Sequence, residues 1–166
     1  MKFWQIIFLS ILLCISAGCD TEMTGTVVDA ETGQPIEGAV VLVEWTVTKG
    51  LPGMRSTERY KVVEGMSNRS GKIILELISD LFVNQPRVTI YKKGYVAWNS
   101  DYTFPDWKKR DHFQWVDGIT IRLEPFEAGY TRSDHVYFLH NVTHWGKKMN
   151  EAFRWEELEL EKENKR

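Results

Sequence analysis

Two histidines and a run of aromatic rings are the residues of this chain best suited to chemistry. His140-Asn141-Val142-Thr143-His144 sets two imidazoles one helical turn apart, a spacing at which both can hold Zn²⁺ or another divalent ion. The glutamate of H-E-x-x-H is missing between them, so the general base of a zinc protease has no candidate. His112 and His135 could add ligands, but nothing in the sequence brings them near, and solvated or packed histidines are the default reading. The second group runs from Trp98 to Trp115, where Trp98, Tyr102, Phe104, Trp107, Phe113 and Trp115 alternate with Asp101, Asp106, Lys108, Lys109, Arg110 and Asp111. Rings beside charges can stack on a sugar or grip a proline-rich peptide, which makes Trp98, Tyr102, Trp107 and Trp115 the candidate ligand-binding residues. The competing reading is a long loop that its own rings tie down. Ser70 and Ser133 lack any nucleophile motif such as G-x-S-x-G, and no carboxylate pair suggests a tuned acid and base. No catalytic residue, cofactor or metal is assigned, and the chain is expected not to be an enzyme.

The elements that must position these residues belong to a chain of 166 residues, 43% hydrophobic and 27% charged, with a net charge of −2. This suits one globular domain with a real core. Near-neutral charge argues against nucleic acid, whose affinity comes from Lys and Arg on phosphates. The start is different in kind. Lys2 precedes an almost unbroken apolar run from Phe3 to Ile15, too short for the roughly 20 residues of a membrane-spanning helix. It ends in Ser16-Ala17-Gly18-Cys19, which resembles the lipobox of bacterial lipoproteins. The resemblance implies a signal peptide over 1–18, lipid on Cys19, and a location in the cell envelope, membrane-anchored and facing the periplasm or the exterior. Cys14 then leaves with the signal and Cys19 carries lipid, so no thiol remains for a disulfide or a nucleophile. Asn68-Arg69-Ser70 and Asn141-Val142-Thr143 fit the glycosylation pattern but are expected to be idle in such a protein.

After a tether over 19–23, the pattern has period two. Thr24 to Asp29 is a strand and Ala30 to Pro35 a turn. Ala39, Val41, Val43, Trp45 and Val47 then share one strand face over a core, with Glu44, Thr46 and Thr48 on the other. Further strands are expected over Arg59–Glu64, Lys72–Leu77, Arg87–Tyr91, Tyr95–Trp98 and Ile119–Leu123, and short strands without intervening helices indicate an antiparallel sandwich.

The pieces Gly25-Thr26-Val27-Val28-Asp29 and Thr32-Gly33-Gln34-Pro35-Ile36-Glu37-Gly38-Ala39-Val40-Val41 resemble the opening of carboxypeptidase regulatory-like domains. Ser67 to Ile73, similar to the turn before a central strand, Val88 to Tyr95, and Ile121 to Pro125 fit in order. The resemblance covers 24–125 and implies a seven-stranded β-sandwich of the transthyretin-like type, an accessory module without implied peptidase activity.

Over 126–166 the period becomes helical. Thr131 to Asp134 has the form of a capping box; Val142, Trp145, Met149 and Phe153 recur at helical spacing; and Gly146 divides the extension into two helices or weakens one. Glu156 to Arg166 reads as a solvated, fraying terminus that holds the Glu156–Glu157 pair. Mostly β structure with a helical C-terminal extension is therefore expected. The expected function is a lipid-anchored binding or scaffolding module, its partners the membrane and an envelope protein or glycan. A carbohydrate- or peptide-binding lipoprotein using 98–115 is the alternative, histidine metal binding the third, and hydrolysis the last.

Overall fold

The computed structural model describes residues 21–166 except Pro52, Ser79, His112, Trp145, Asn164 and Arg166. The segment expected to be a signal peptide (1–18), Cys19, His112 and Trp145 thus lie outside the described residues. Two sheets carry the fold. β1 (Thr21–Asp29) lies between β4 (Lys72–Leu77) and β9 (Ile119–Leu123), and β2 (Val40–Lys49) lies between β3 (Ser56–Met66) and β5 (Arg87–Tyr91), with β6 (Trp98–Asn99) beyond β5. These seven strands form the expected sandwich, and a hairpin of β7 (Tyr102–Thr103) and β8 (Lys108–Lys109) is added to it. Met23, Val27, Ile73, Leu75, Ile121 and Leu123 from one sheet meet Val41, Val43, Trp45, Val88 and Ile90 from the other.

Four details depart from the sequence reading. Residues 21–23 are strand rather than tether, because Thr21, Glu22 and Met23 pair with Leu77, Glu76 and Leu75 and the Met23 side chain is buried. β9 runs parallel to β1, so the sandwich is not antiparallel throughout; the chain returns through Asp117 and Gly118, which bond Thr24 at the strand's start, rather than through a hairpin. The expected strand over Tyr95–Trp98 is divided between the sheets. Its first part bridges Pro125 and donates from Val96 N to Glu124 O, and only Trp98 and Asn99 join β5. β4, entered by the Ser67–Lys72 turn, is an edge strand and not a central one.

That turn is fixed by its own side chains and by the backbone of the loop and strand beside it. Asn68 Oδ1 accepts from Ser70 N and Lys72 N, while the buried Ser67 hydroxyl donates to Ile36 O at 2.6 Å and accepts from Ala39 N at 2.9 Å. Gly71 sits at φ 72°, and a Cβ there would stand 2.4 Å from Val27 O, so only glycine lets the two backbones meet.

The helical extension covers the outer face of β2 and β5. α1 (Arg132–Val142) starts at Thr131, whose hydroxyl accepts from Asp134 N. α2 (Lys147–Glu163) begins with two lysines and no acidic residue, yet its positive end is capped. Glu64, on β3, accepts from Lys147 N, Lys148 N and Met149 N at 2.9–3.1 Å. Phe138, Leu139, Val142, Met149 and Phe153 pack there on Val40, Leu42, Tyr91, Val96 and Ala97, forming a second core. β2 is therefore covered on both faces. Glu44, on the face opposite Trp45, is buried and accepts from His144 N at 3.1 Å.

Candidate functional site

The aromatic segment closes both cores instead of forming one open platform. Trp98 is buried at the edge of the inter-sheet core, with the Phe113 ring 5.2 Å and the Trp115 ring 6.0 Å away at steep angles. The Arg110 guanidinium lies 5.1 Å from the Trp98 ring and donates to Asn99 O at 2.8 Å; burial lowers its pKa from the ordinary value. Phe104 is buried in the second core, with Tyr102 packed against that core. Trp107 occupies the left-handed region at φ 55° in the hairpin turn and packs against Phe138 at 4.9 Å and Tyr137 at 6.0 Å. It keeps 38% of its surface in solvent, beside an exposed Tyr137. Of the candidate rings, Trp107 is open, Tyr102 and Trp115 are half-buried, and Trp98 is enclosed.

One shallow cleft does combine rings and charges. It holds about 260 Å³ and is lined by Pro86, Ser100, Asp101, Arg110, Phe113 and Trp115. Asp101 pairs with Arg87 Nε at 2.9 Å, and Arg87 Nη1 reaches the ring of His144 at 3.4 Å. The cleft thus offers ring edges, the carboxylates of Asp101 and Asp111, the Lys109 ammonium and the Arg110 guanidinium, the elements for holding a polar ring or a short peptide.

The two histidines of the 140–144 motif are not one helical turn apart on a helix face. α1 ends at Val142, and Thr143 is extended, its N–H and hydroxyl both donating to Leu139 O. His140 Nε2 meets Glu157 at 2.8 Å, while His144 faces Arg87 and Glu44. Both border an open groove of about 370 Å³ with Asn150 and Glu157. No group of three or more His, Cys, Asp or Glu side chains suited to a metal ion occurs among the described residues. Ser70 donates to Asn68, and Ser133 is exposed in the first turn of α1.

Sequence reasoning missed the most connected polar cluster, which is enclosed beneath the helices. His135 on α1 and Glu156 on α2 are both buried, so Glu156 is no part of a solvated tail. Ala97 N donates to His135 Nε2 at 2.9 Å, which leaves that nitrogen unprotonated and puts the ring proton on Nδ1, donating to Glu156 Oε2 at 2.7 Å. Tyr91 Oη donates to Glu156 Oε1 at 2.7 Å and accepts from Trp155 Nε1 at 2.7 Å. Burial pushes the Tyr91 phenol far up, and the hydrogen bond and charge of Glu156 add to this, so Tyr91 stays a donor. A histidine–carboxylate pair is the core of many general-base sites. Here both ring nitrogens are occupied and the ring is fully enclosed, so no lone pair is free to take a proton from a substrate. A signal did exist: Met149, Phe153 and Glu156 lie on one stripe of α2, and His135 falls with Leu139 and Val142 on α1.

No protein-family model matches the chain, and no curated protein matches it. Among solved structures, a streptococcal ancillary pilin aligns at 14% identity with a TM-score of 0.30, over 63% of this chain and 29% of the pilin chain. The chain thus corresponds to under a third of that protein's length. No described helix is long and apolar enough to cross a membrane.

Proposed function

We propose that the chain is a lipid-anchored cell-envelope protein whose sandwich serves as a non-enzymatic binding or scaffolding module. The observation that carries the reading is the junction at its start. An apolar run closes in small residues at Cys19, and a strand of the folded domain begins two residues later at Thr21. The division of seven strands into three and four, and the Ser67–Gly71 turn bonded to Ile36 and Ala39, favour the carboxypeptidase regulatory-like resemblance. The occupied nitrogens of His135 favour a non-catalytic role. The test is Cys19→Ser: loss of the acyl chains, whose burial is worth roughly 0.8 kcal/mol per CH₂, should move the protein out of the carbonate-washed membrane fraction. Retention there refutes the anchor.

Recognition of a glycan or peptide is the second reading, favoured by the cleft between Trp115, Phe113, Arg110 and Asp101 and by the open Trp107. Trp115→Ala and Trp107→Ala should abolish retention on a glycan array or a proline-rich peptide column while the protein stays folded. Unchanged retention by both variants, or no retention by the wild type, removes this reading.

A further inference from the structure

We infer that the end of the sandwich where the chain enters is a membrane-contacting face, and that its loop tips rest in the lipid headgroup layer; this rests on the lipid-anchored reading above.

The register brings three loops to that end. Thr21 opens β1 opposite Leu77, the last residue of β4. β2 finishes at Lys49 opposite Ser56, the first residue of β3. The sheets are level with each other there, because Lys61, opposite Trp45, reaches Glu76, opposite Glu22, at 2.6 Å. Loop 78–86 is tied to the end of β2 by the Val47–Val83 bridge and by Asn84 N donating to Thr46 O. Loop 110–118 is tied to the start of β1 by Gly118 N donating to Thr24 O.

These loops carry the four most exposed large apolar side chains described: Leu51 at 74%, Met54 at 81%, Leu81 at 100% and Phe82 at 84%. Val116, also at this end, is exposed at 57%. The tips are built turns. Met54 N donates to Leu51 O, Asp80 accepts from Phe82 N, and Val83 N donates to Asp80 O, so the apolar side chains are held outward. Four such side chains at one end of a domain call for a cover.

The length of chain outside the described residues names that cover. From Cys19 to Thr21 there are two residues, which span at most about 7 Å when extended. A lipid on Cys19 therefore holds the first strand almost at the bilayer surface, and an interfacial apolar face sinks roughly 5–10 Å into the headgroup boundary. The anchor brings this end to the membrane, and the apolar tips match what they meet. Charge does not drive the contact, because Lys49 and Arg55 are offset by Glu58 and Asp80 around the same loops.

The experiment uses the full chain, processed by its host and reconstituted into phosphatidylcholine–phosphatidylglycerol vesicles with brominated acyl chains. Leu51→Cys and Phe82→Cys are labelled with an environment-sensitive fluorophore, with Thr32→Cys and Asn68→Cys at the opposite end as controls. Blue-shifted, bromine-quenched emission at 51 and 82, insensitive to salt, with water-like emission at 32 and 68, is expected. Water-like emission at 51 and 82 in protein that floats with the vesicles overturns the inference and leaves the anchor standing. Shielding without bromine quenching also overturns it, since another protein or a second copy then covers this end. In a Cys19→Ser background, vesicle binding that persists with quenching at 51 and 82 supports the apolar face as a membrane contact in its own right, while the carbonate wash tests the anchor separately.

Discussion

Glu156→Gln isolates the enclosed polar cluster, because it keeps size and shape and changes only donors and acceptors. Glu156 accepts from His135 Nδ1 at 2.7 Å and from Tyr91 Oη at 2.7 Å, and it is buried. A glutamine offers one acceptor oxygen and one NH₂ in place of two acceptors. With the oxygen toward His135, the NH₂ faces the Tyr91 hydroxyl, which must turn its proton away while it still accepts from Trp155. With the oxygen toward Tyr91, the NH₂ opposes the His135 N–H outright. Either way one buried donor loses its partner, at about 1–3 kcal/mol, and a hydrogen bond to a charged acceptor becomes a neutral one. The expected cost is about 2–4 kcal/mol, or roughly 4–16 °C in melting temperature for a domain of this size. The matched control is the apolar replacement His135→Leu with Glu156→Met and Tyr91→Phe. It removes the three mutually bonded groups together and leaves the Ala97 N–H and Trp155 Nε1 donors without their acceptors, so it should carry a cost of its own yet fall below the sum of the three single effects. Urea titrations read by tryptophan fluorescence measure both. A Glu156→Gln variant within 0.5 kcal/mol of wild type, or strictly additive single effects, would refute the assignment of protons to this cluster.

Three further outcomes are expected. The Asp117 pKa lies below its ordinary value, because Thr24 N and then the Thr24 hydroxyl donate to its carboxylate. Its contribution is present above the unfolded aspartate value and lost as pH falls through the folded one, so Asp117→Asn should flatten the drop in melting temperature below about pH 4; an unchanged slope contradicts this. Gly146→Ala puts a Cβ 2.8 Å from Glu64 Oε1 and 2.8 Å from Leu42, and should cost about 1–3 kcal/mol, while Glu64→Ala uncaps α2 for about 1–2 kcal/mol; denaturant midpoints check both. Trp45, fully buried between the sheets, should cost about 3–5 kcal/mol on truncation to alanine, against under about 1 kcal/mol for Thr46→Ala, and equal melting temperatures would overturn the face assignment of β2.

Much of this protein is written locally in its sequence. The alternation from Ala39 to Val47, the turn at Gly33–Pro35, the Asn68 bonds to Ser70 and Lys72 and the Thr131 cap are each decided by residues within a few positions of one another, through backbone sterics and short-range hydrogen bonds. What the sequence could not disclose depends on partners far along the chain. Glu44 looks solvent-facing until the segment after α1 covers it 100 residues later, and Glu156 looks like tail until His135 and Tyr91 meet it from 21 and 65 positions away. The aromatic segment shows the same division. Its composition marks it as special, but only packing decides that Trp98 and Phe104 seal two cores while Trp107 stays open. A side chain's environment is a sum over neighbours in space, and where the two faces of one strand are covered by different parts of the chain, local pattern reports only one of them.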